Sequence, residues 1–204
     1  MIRNIVFDLG NVLISFRPAE FLEKKGYPEE LKNRILSDIF GSQEWLLLDN
    51  GDITTAEAIN SISEKTTLEK ALITRIFDTR TEIFYPVTGN VKILPELKKQ
   101  GFKLYYISNF PGDIYDEVKD GHDFFEYFDG GIISAEVRIS KPDEGIFRIF
   151  LEKYRLKPEE CLYLDDIEKN VKAAVSAGMK GFATFGSFDI SPELYKILNN
   201  HPAV

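Results

Sequence analysis

Several apolar runs of this sequence end in groups that can do chemistry. Ile5-Val6-Phe7 stops at Asp8, and Leu9-Gly10-Asn11 follows at once. Lys103 to Ile107 stops at Ser108-Asn109, and Cys161-Leu162-Tyr163-Leu164 stops at Asp165-Asp166. Lys141 sits in a loop after the short run Gly131-Ile132-Ile133. Each group has an ordinary alternative. Asp, Gly and Asn are common in turns, Ser108-Asn109 can cap a helix, and Asp165-Asp166 suits a helix N-terminus. A loop lysine is usually solvated. Their joint occurrence carries the weight, because parallel α/β sheets build sites at the carboxyl ends of their strands.

Facing carboxylates repel and call for a cation. Oxygen donors without His or Cys favour Mg2+, which keeps several waters and usually binds alongside phosphate. A free carboxylate such as Asp8 can attack phosphorus. A lysine and a hydroxyl or amide donor can hold phosphoryl oxygens as charge shifts. The chemistry predicted is phosphoryl transfer on a small phosphorylated substrate.

The elements that must position these groups follow from the pattern. Strands are expected at Arg3 to Asp8, Lys103 to Ile107, Gly131 to Ile133, Cys161 to Leu164 and Gly181 to Phe185. Helices are expected between them, at Asn90 to Gln100, Asp113 to Val118, Asp143 to Tyr154, Asn170 to Ala177 and Pro192 to Leu198. Such alternation implies parallel strands with right-handed helical crossovers. From Pro18 to Phe84 the reading is helical throughout, with Pro18 suited to a first helical turn and Thr54 and Glu57 spaced as a capping box. This stretch reads as a helical insertion.

Length and composition set bounds. The chain has 204 residues, 44% of them apolar, which suits one α/β core with a smaller insertion. No stretch approaches the roughly 20 apolar residues of a membrane span. The N-terminus runs straight into a strand, so no secretory signal is expected. The single Cys161 excludes an internal disulfide, and a cytoplasmic setting is expected. The net charge of −8 argues against nucleic-acid and anionic-membrane partners. Oligomeric state is left open, with a monomer acceptable.

The sequence resembles the haloacid dehalogenase-like hydrolase superfamily over essentially its whole length. Phe7-Asp8-Leu9-Gly10-Asn11-Val12-Leu13 is similar to the family's first motif, and Ile107-Ser108-Asn109 to the second. Ser140-Lys141-Pro142-Asp143 is similar to the third, and Leu164-Asp165-Asp166 with Asn170 to the fourth. The resemblance implies a Rossmann-like three-layer parallel-sheet core, residues 1–16 and 85–204, with a small α-helical cap, residues 17–84, inserted after the first strand. It implies Asp8 as nucleophile, Ser108, Asn109 and Lys141 as phosphoryl-binding groups, and Asp8, the Gly10 carbonyl, Asp166 and Asp165 around Mg2+. Within the superfamily the pattern is similar to sugar-1-phosphate phosphatases and the phosphatase domain of soluble epoxide hydrolases.

One departure stands out. The family's phosphatases carry an acid two residues after the nucleophile, and here that position is Gly10. Asn11 cannot replace it, since an amide does not titrate near neutral pH. Losing a general acid forfeits about 10²–10⁴ in rate. An activated leaving oxygen, as in a sugar 1-phosphate or an acyl phosphate, would soften the loss. A cap residue or an ordered water could alternatively supply the proton, with Asp49 and Asp52 on the cap turn as candidates, although exposed turn acids are usually solvated. Two other readings follow from Gly10: an impaired family member that binds a phospho-ligand or protein, and a 2-haloacid dehalogenase. Phe16, Arg17 and Trp45 are candidates for the pocket wall.

Overall fold

The computed structural model of the chain describes residues 1–186 and 189–199. Its first strand, β1 (Asn4–Phe7), leads through a tight turn to β2 (Ile14–Phe16). Five helices follow: α1 (Pro18–Lys24), α2 (Glu29–Ile35), α3 (Gln43–Asp49), α4 (Thr55–Lys65) and α5 (Lys70–Asp78). The chain returns on β3 (Phe84–Pro86) and continues as α6 (Thr88–Val91), α7 (Leu94–Lys99), β4 (Lys103–Ser108) and α8 (Gly112–Asp120). Then come β5 (Gly130–Ile133), α9 (Ser134–Val137), α10 (Glu144–Tyr154), β6 (Cys161–Asp165), α11 (Glu168–Ser176), β7 (Lys180–Ala183) and α12 (Ser191–Asn199).

The five-stranded sheet is parallel, in the order β5-β4-β1-β6-β7. Side chains alternate between its faces. Ile5, Phe7, Leu104, Leu162 and Leu164 pack on one side with Leu94, Leu97, Ile114 and Leu194 from α7, α8 and α12. Val6, Tyr105 and Tyr163 pack on the other with Ile146, Phe147, Phe150 and Ala174 from α10 and α11. This is the expected three-layer, Rossmann-like arrangement. The strands read as continuous apolar runs because both faces are covered.

Register decides what the sheet's edge presents. Phe7 stands beside Tyr106 of β4 and Leu164 of β6. The next residues along β1 and β6, Asp8 and Asp165, are therefore level, and Ser108 is one step beyond on β4.

The helices α1–α5 form their own apolar cluster around Phe21, Leu22, Ile35, Trp45, Ile62 and Ile73. Local signals explain their starts. Pro18 occupies the first turn of α1, the Ser42 side chain accepts from the Trp45 N–H, and Thr54 and Glu57 close a capping box on α4.

Two expectations need correction. The segment up to Phe84 is not helical throughout. Phe84–Pro86 pairs antiparallel with Ile14–Phe16, so the helical block is entered and left through a two-stranded ladder. Three-residue strands hold too few positions to show a period, which hid them. The predicted helix from Asn90 to Gln100 is two helices, because Pro95 has no N–H to donate back to Val91 and suits the first turn of a new helix.

Candidate active site

The carboxyl edge of the sheet brings the strand-end groups together. Lys141 Nζ lies 2.7 Å from Asp8 Oδ1 and 2.8 Å from Asp165 Oδ2. All three residues are buried. Two carboxylates share one ammonium, in a place where water screens little. Burial pushes the Asp8 carboxyl up to about 7 against the pull of Lys141, with Asp165 and Asp166 adding to the rise. Burial alone would lower Lys141, but Asp8 and Asp165 outweigh it and the net shift is upward. The ammonium stays charged.

Asp165 is saturated with donors. Its Oδ2 takes the Lys141 ammonium and the Tyr163 hydroxyl, the latter at 2.5 Å. Its Oδ1 takes the Ile167 N–H at 2.8 Å, and Asn170 Nδ2 reaches both oxygens at 3.1 and 3.0 Å. Tyr163 was not singled out from the sequence. The signal was available, since residues two apart on a strand share a face.

Asp166 is half-buried on the cavity wall. Burial and then Asp165 raise its carboxyl, while the Asn11 side chain pulls it down. Asn11 itself adopts the left-handed region at φ 53, which asparagine tolerates. Its Oδ1 accepts the Phe16 N–H at 3.2 Å and fixes the turn after Asp8.

Donor oxygens of Asp8, Asp165 and Asp166 lie within 4.8 Å of one another. Nearby, Asn170 Oδ1 is a buried acceptor with no partner among the described residues. Raised carboxyls, mutual repulsion and an orphaned oxygen together fit a hard divalent cation with its waters. Gly10 lines the same cavity. A Cβ built on Gly10 would meet only Asp8 Oδ2, at 3.9 Å, so space does not require glycine there.

Ser108 is buried, and among the described residues its hydroxyl makes only a long 3.4 Å contact with the Asn109 carbonyl. Asn109 is committed to the backbone of Lys141. Its Nδ2 donates to the Lys141 carbonyl at 3.1 Å, and its Oδ1 accepts the Lys141 N–H at 2.8 Å. Its side chain fixes the lysine loop.

These groups open on a cavity of about 240 Å³ between the sheet edge and the helical block. Its apolar wall is Ile14, Phe16, Trp45, Phe84, Phe110 and Ile167. Phe84 and Phe110 join the candidates Phe16 and Trp45 in this wall, and neither carries a sequence signal that points to it. The rings run in sequence, with centroids 5.7 Å apart for Phe16–Trp45, 5.8 Å for Phe16–Phe84 and 5.0 Å for Phe84–Phe110. Trp45 serves both the core of the helical block and this wall. Arg17 does not line the cavity and pairs with Glu20 at 2.9 Å. Asp49 lines it, whereas Asp52 is exposed and accepts from Asn50 Nδ2 at 2.5 Å.

A Rossmann-like sheet with an acid at the tip of its central strand, a lysine bridging two carboxylates and a helical block above defines a class of carboxylate-centred hydrolases. The chain belongs to the haloacid dehalogenase-like hydrolase family, which matches residues 2–178. It is 25% identical over 193 residues to a sesquiterpene phosphatase of Aspergillus oryzae, covering 95% of each chain. It is 26% identical over 184 residues to a phosphorylated carbohydrates phosphatase of Thermotoga maritima, covering 86% of this chain and 82% of the other. In fold it is similar to a HAD family enzyme of Bacteroides thetaiotaomicron crystallised with magnesium and inorganic phosphate. There the TM-score is 0.73, the identity 24% and the coverage 95% of this chain and 99% of that one. Among the described residues no helix is long and apolar enough to cross a membrane.

Proposed function

We propose that this chain is a Mg2+-dependent phosphoric monoester hydrolase that works through an aspartyl-phosphate on Asp8. The observation that carries the reading is the state of the Asp8 carboxylate. Its Oδ1 is tied to Lys141 and to the Leu9 N–H at 2.7 Å, while Oδ2 takes neither bond. Oδ2 is the nucleophilic atom. Lys141 and the Ser108 hydroxyl hold the phosphoryl oxygens, and Asn109 acts through the lysine loop that it fixes. Asp8, Asp166 and the Gly10 carbonyl hold the cation, with Asp165 behind them orienting Lys141. When bound, Mg2+ supplies positive charge that lets one anion approach another.

Residues 17–84 serve as a cap over the core formed by residues 1–16 and 85–204, and they choose the organic part of the substrate. The apolar wall suits a ring or hydrocarbon face. A sugar 1-phosphate would ask for several polar partners, and this wall supports that expectation less well. A small apolar phosphomonoester fits it better, and the sesquiterpene phosphatase among the relatives is in keeping with such a substrate.

Hydrolysis of a phosphate-ester panel with and without Mg2+, for wild type and Asp8→Asn, tests the reading. Wild type is expected to release phosphate only with Mg2+, and acid-quenched protein should carry a phosphoryl group on the peptide containing Asp8. Turnover retained in Asp8→Asn would sink the mechanism. Metal-independent halide release from 2-haloacids would point to the dehalogenase instead. Tight phosphate binding without turnover would point to an impaired binder.

A further inference from the structure

The cavity carries an acid that the chemistry above leaves unused. Asp49 ends α3 and lines the cavity together with Asp8, Lys141 and Asp166, the other charged side chains of its wall. Its carboxyl group has no hydrogen-bond or ion-pair partner among the described residues. With nothing set against it, burial lifts the carboxyl to about 7.

The turn that bears Asp49 is docked on the loops that carry the centre. The Asp49 carbonyl accepts from the Ser134 hydroxyl, whose oxygen also accepts the Phe110 N–H at 3.0 Å, next to Asn109. Ser140, next to Lys141, donates to Asn50 Oδ1 at 2.9 Å. Gly51 sits at φ +72, and a Cβ there would lie 2.7 Å from the Ala135 carbonyl oxygen. An acid so placed is held by its backbone while its side chain is left uncommitted. Its carboxyl group is thereby available to whatever enters the cavity.

We propose that Asp49 is the acid–base residue of this enzyme, doing from the helical block what a side chain at position 10 does not. The inference rests on the phosphatase reading. As Asp8 Oδ2 forms its bond to phosphorus, the bond from phosphorus to the leaving oxygen breaks and its electron pair stays on that oxygen. Protonated Asp49 gives its proton there, and the alcohol leaves. Ionised Asp49 then takes a proton from the water that attacks phospho-Asp8. The bond between phosphorus and Asp8 breaks, inorganic phosphate leaves, and both carboxyl groups return to their starting states. No oxidant or further reactant is needed.

The test is the first turnover of two esters, with enzyme in excess and Mg2+ present. One is p-nitrophenyl phosphate, whose phenolate leaves without a proton, and the other is 2-phenylethyl phosphate, whose alkoxide needs one. In Asp49→Asn the alkyl ester is expected to slow by about 10²–10⁴-fold while release of p-nitrophenolate changes little. Gly10→Asp in the Asp49→Asn background is expected to recover the alkyl ester, because a Cβ at position 10 meets only Asp8 Oδ2, at 3.9 Å, and a carboxyl there stands beside the nucleophile. Asp52→Asn should leave both rates unchanged. Equal slowing of the two esters, no slowing of either, or a wild type that cleaves only the p-nitrophenyl ester would overturn the proposal. If instead Asp8→Asn still releases p-nitrophenolate, the phosphatase reading itself has failed, and a different result identifies that failure.

Discussion

Lys141 separates two buried carboxylates with a single ammonium, and its removal would leave them facing each other uncompensated. Breaking a buried pair by deleting one partner costs about 3–5 kcal/mol. Lys141→Met should therefore lower Tm by on the order of 10 °C in addition to abolishing turnover. A differential scan beside an activity assay reads both. Asp49 predicts an effect of different sign. Its carboxyl is raised to about 7 by burial in the fold, so the folded chain binds that proton more tightly than the unfolded one. The stability linked to it is fully present below the ordinary carboxylate range and is lost as pH climbs toward 7. Asp49→Asn removes this loss. The Tm difference between variant and wild type should widen in favour of the variant between pH 5 and pH 8. A variant that is less stable at every pH would mean that the side chain is structural.

Elements set the distances among these groups. The parallel register of β1 with β4 and β6 makes Asp8 level with Asp165, and Asn109 at the end of β4 grips the loop that carries Lys141. The turn after α3 brings the helical block down onto α9, and Gly51 permits the contact by its left-handed backbone and its missing Cβ. Gly51→Ala should cost about 1–3 kcal/mol, from strain and from pushing the turn off Ala135. In the same variant the alkyl ester should slow more than p-nitrophenyl phosphate, because the turn carries Asp49. Thermal unfolding and the two-ester comparison read these effects separately.

At the scale of the whole molecule, a cation that binds the folded chain alone stabilises it by mass action, about 2.7 kcal/mol at 100 times its dissociation constant. Mg2+ should raise Tm, and more at pH 8 than at pH 5, because protons compete for the Asp8 and Asp166 carboxyls that burial has raised. Asp166→Asn should largely abolish the shift. A Mg2+ shift that is the same in wild type and Asp166→Asn would place the cation elsewhere. The sheet and its chemical edge were legible in the sequence. Buried parallel strands are written as apolar runs, and a strand's last residue is known wherever such a run stops. Asp8, Ser108, Asp165 and the Lys141 loop could thus be named without coordinates, as could the absence of an acid at Gly10. The short β2–β3 ladder was not legible, because pairing between residues about 70 positions apart leaves no local period. Nor was the fate of Asp49, one of several acids on a polar turn. Sequence gives a residue its chemistry and its local element. Whether a carboxyl ends in water or in a cavity shared with Asp8 depends on how a helical block packs against distant loops. That packing left Asp52 solvated and Asp49 half-buried on the cavity wall, with no side-chain partner among the described residues.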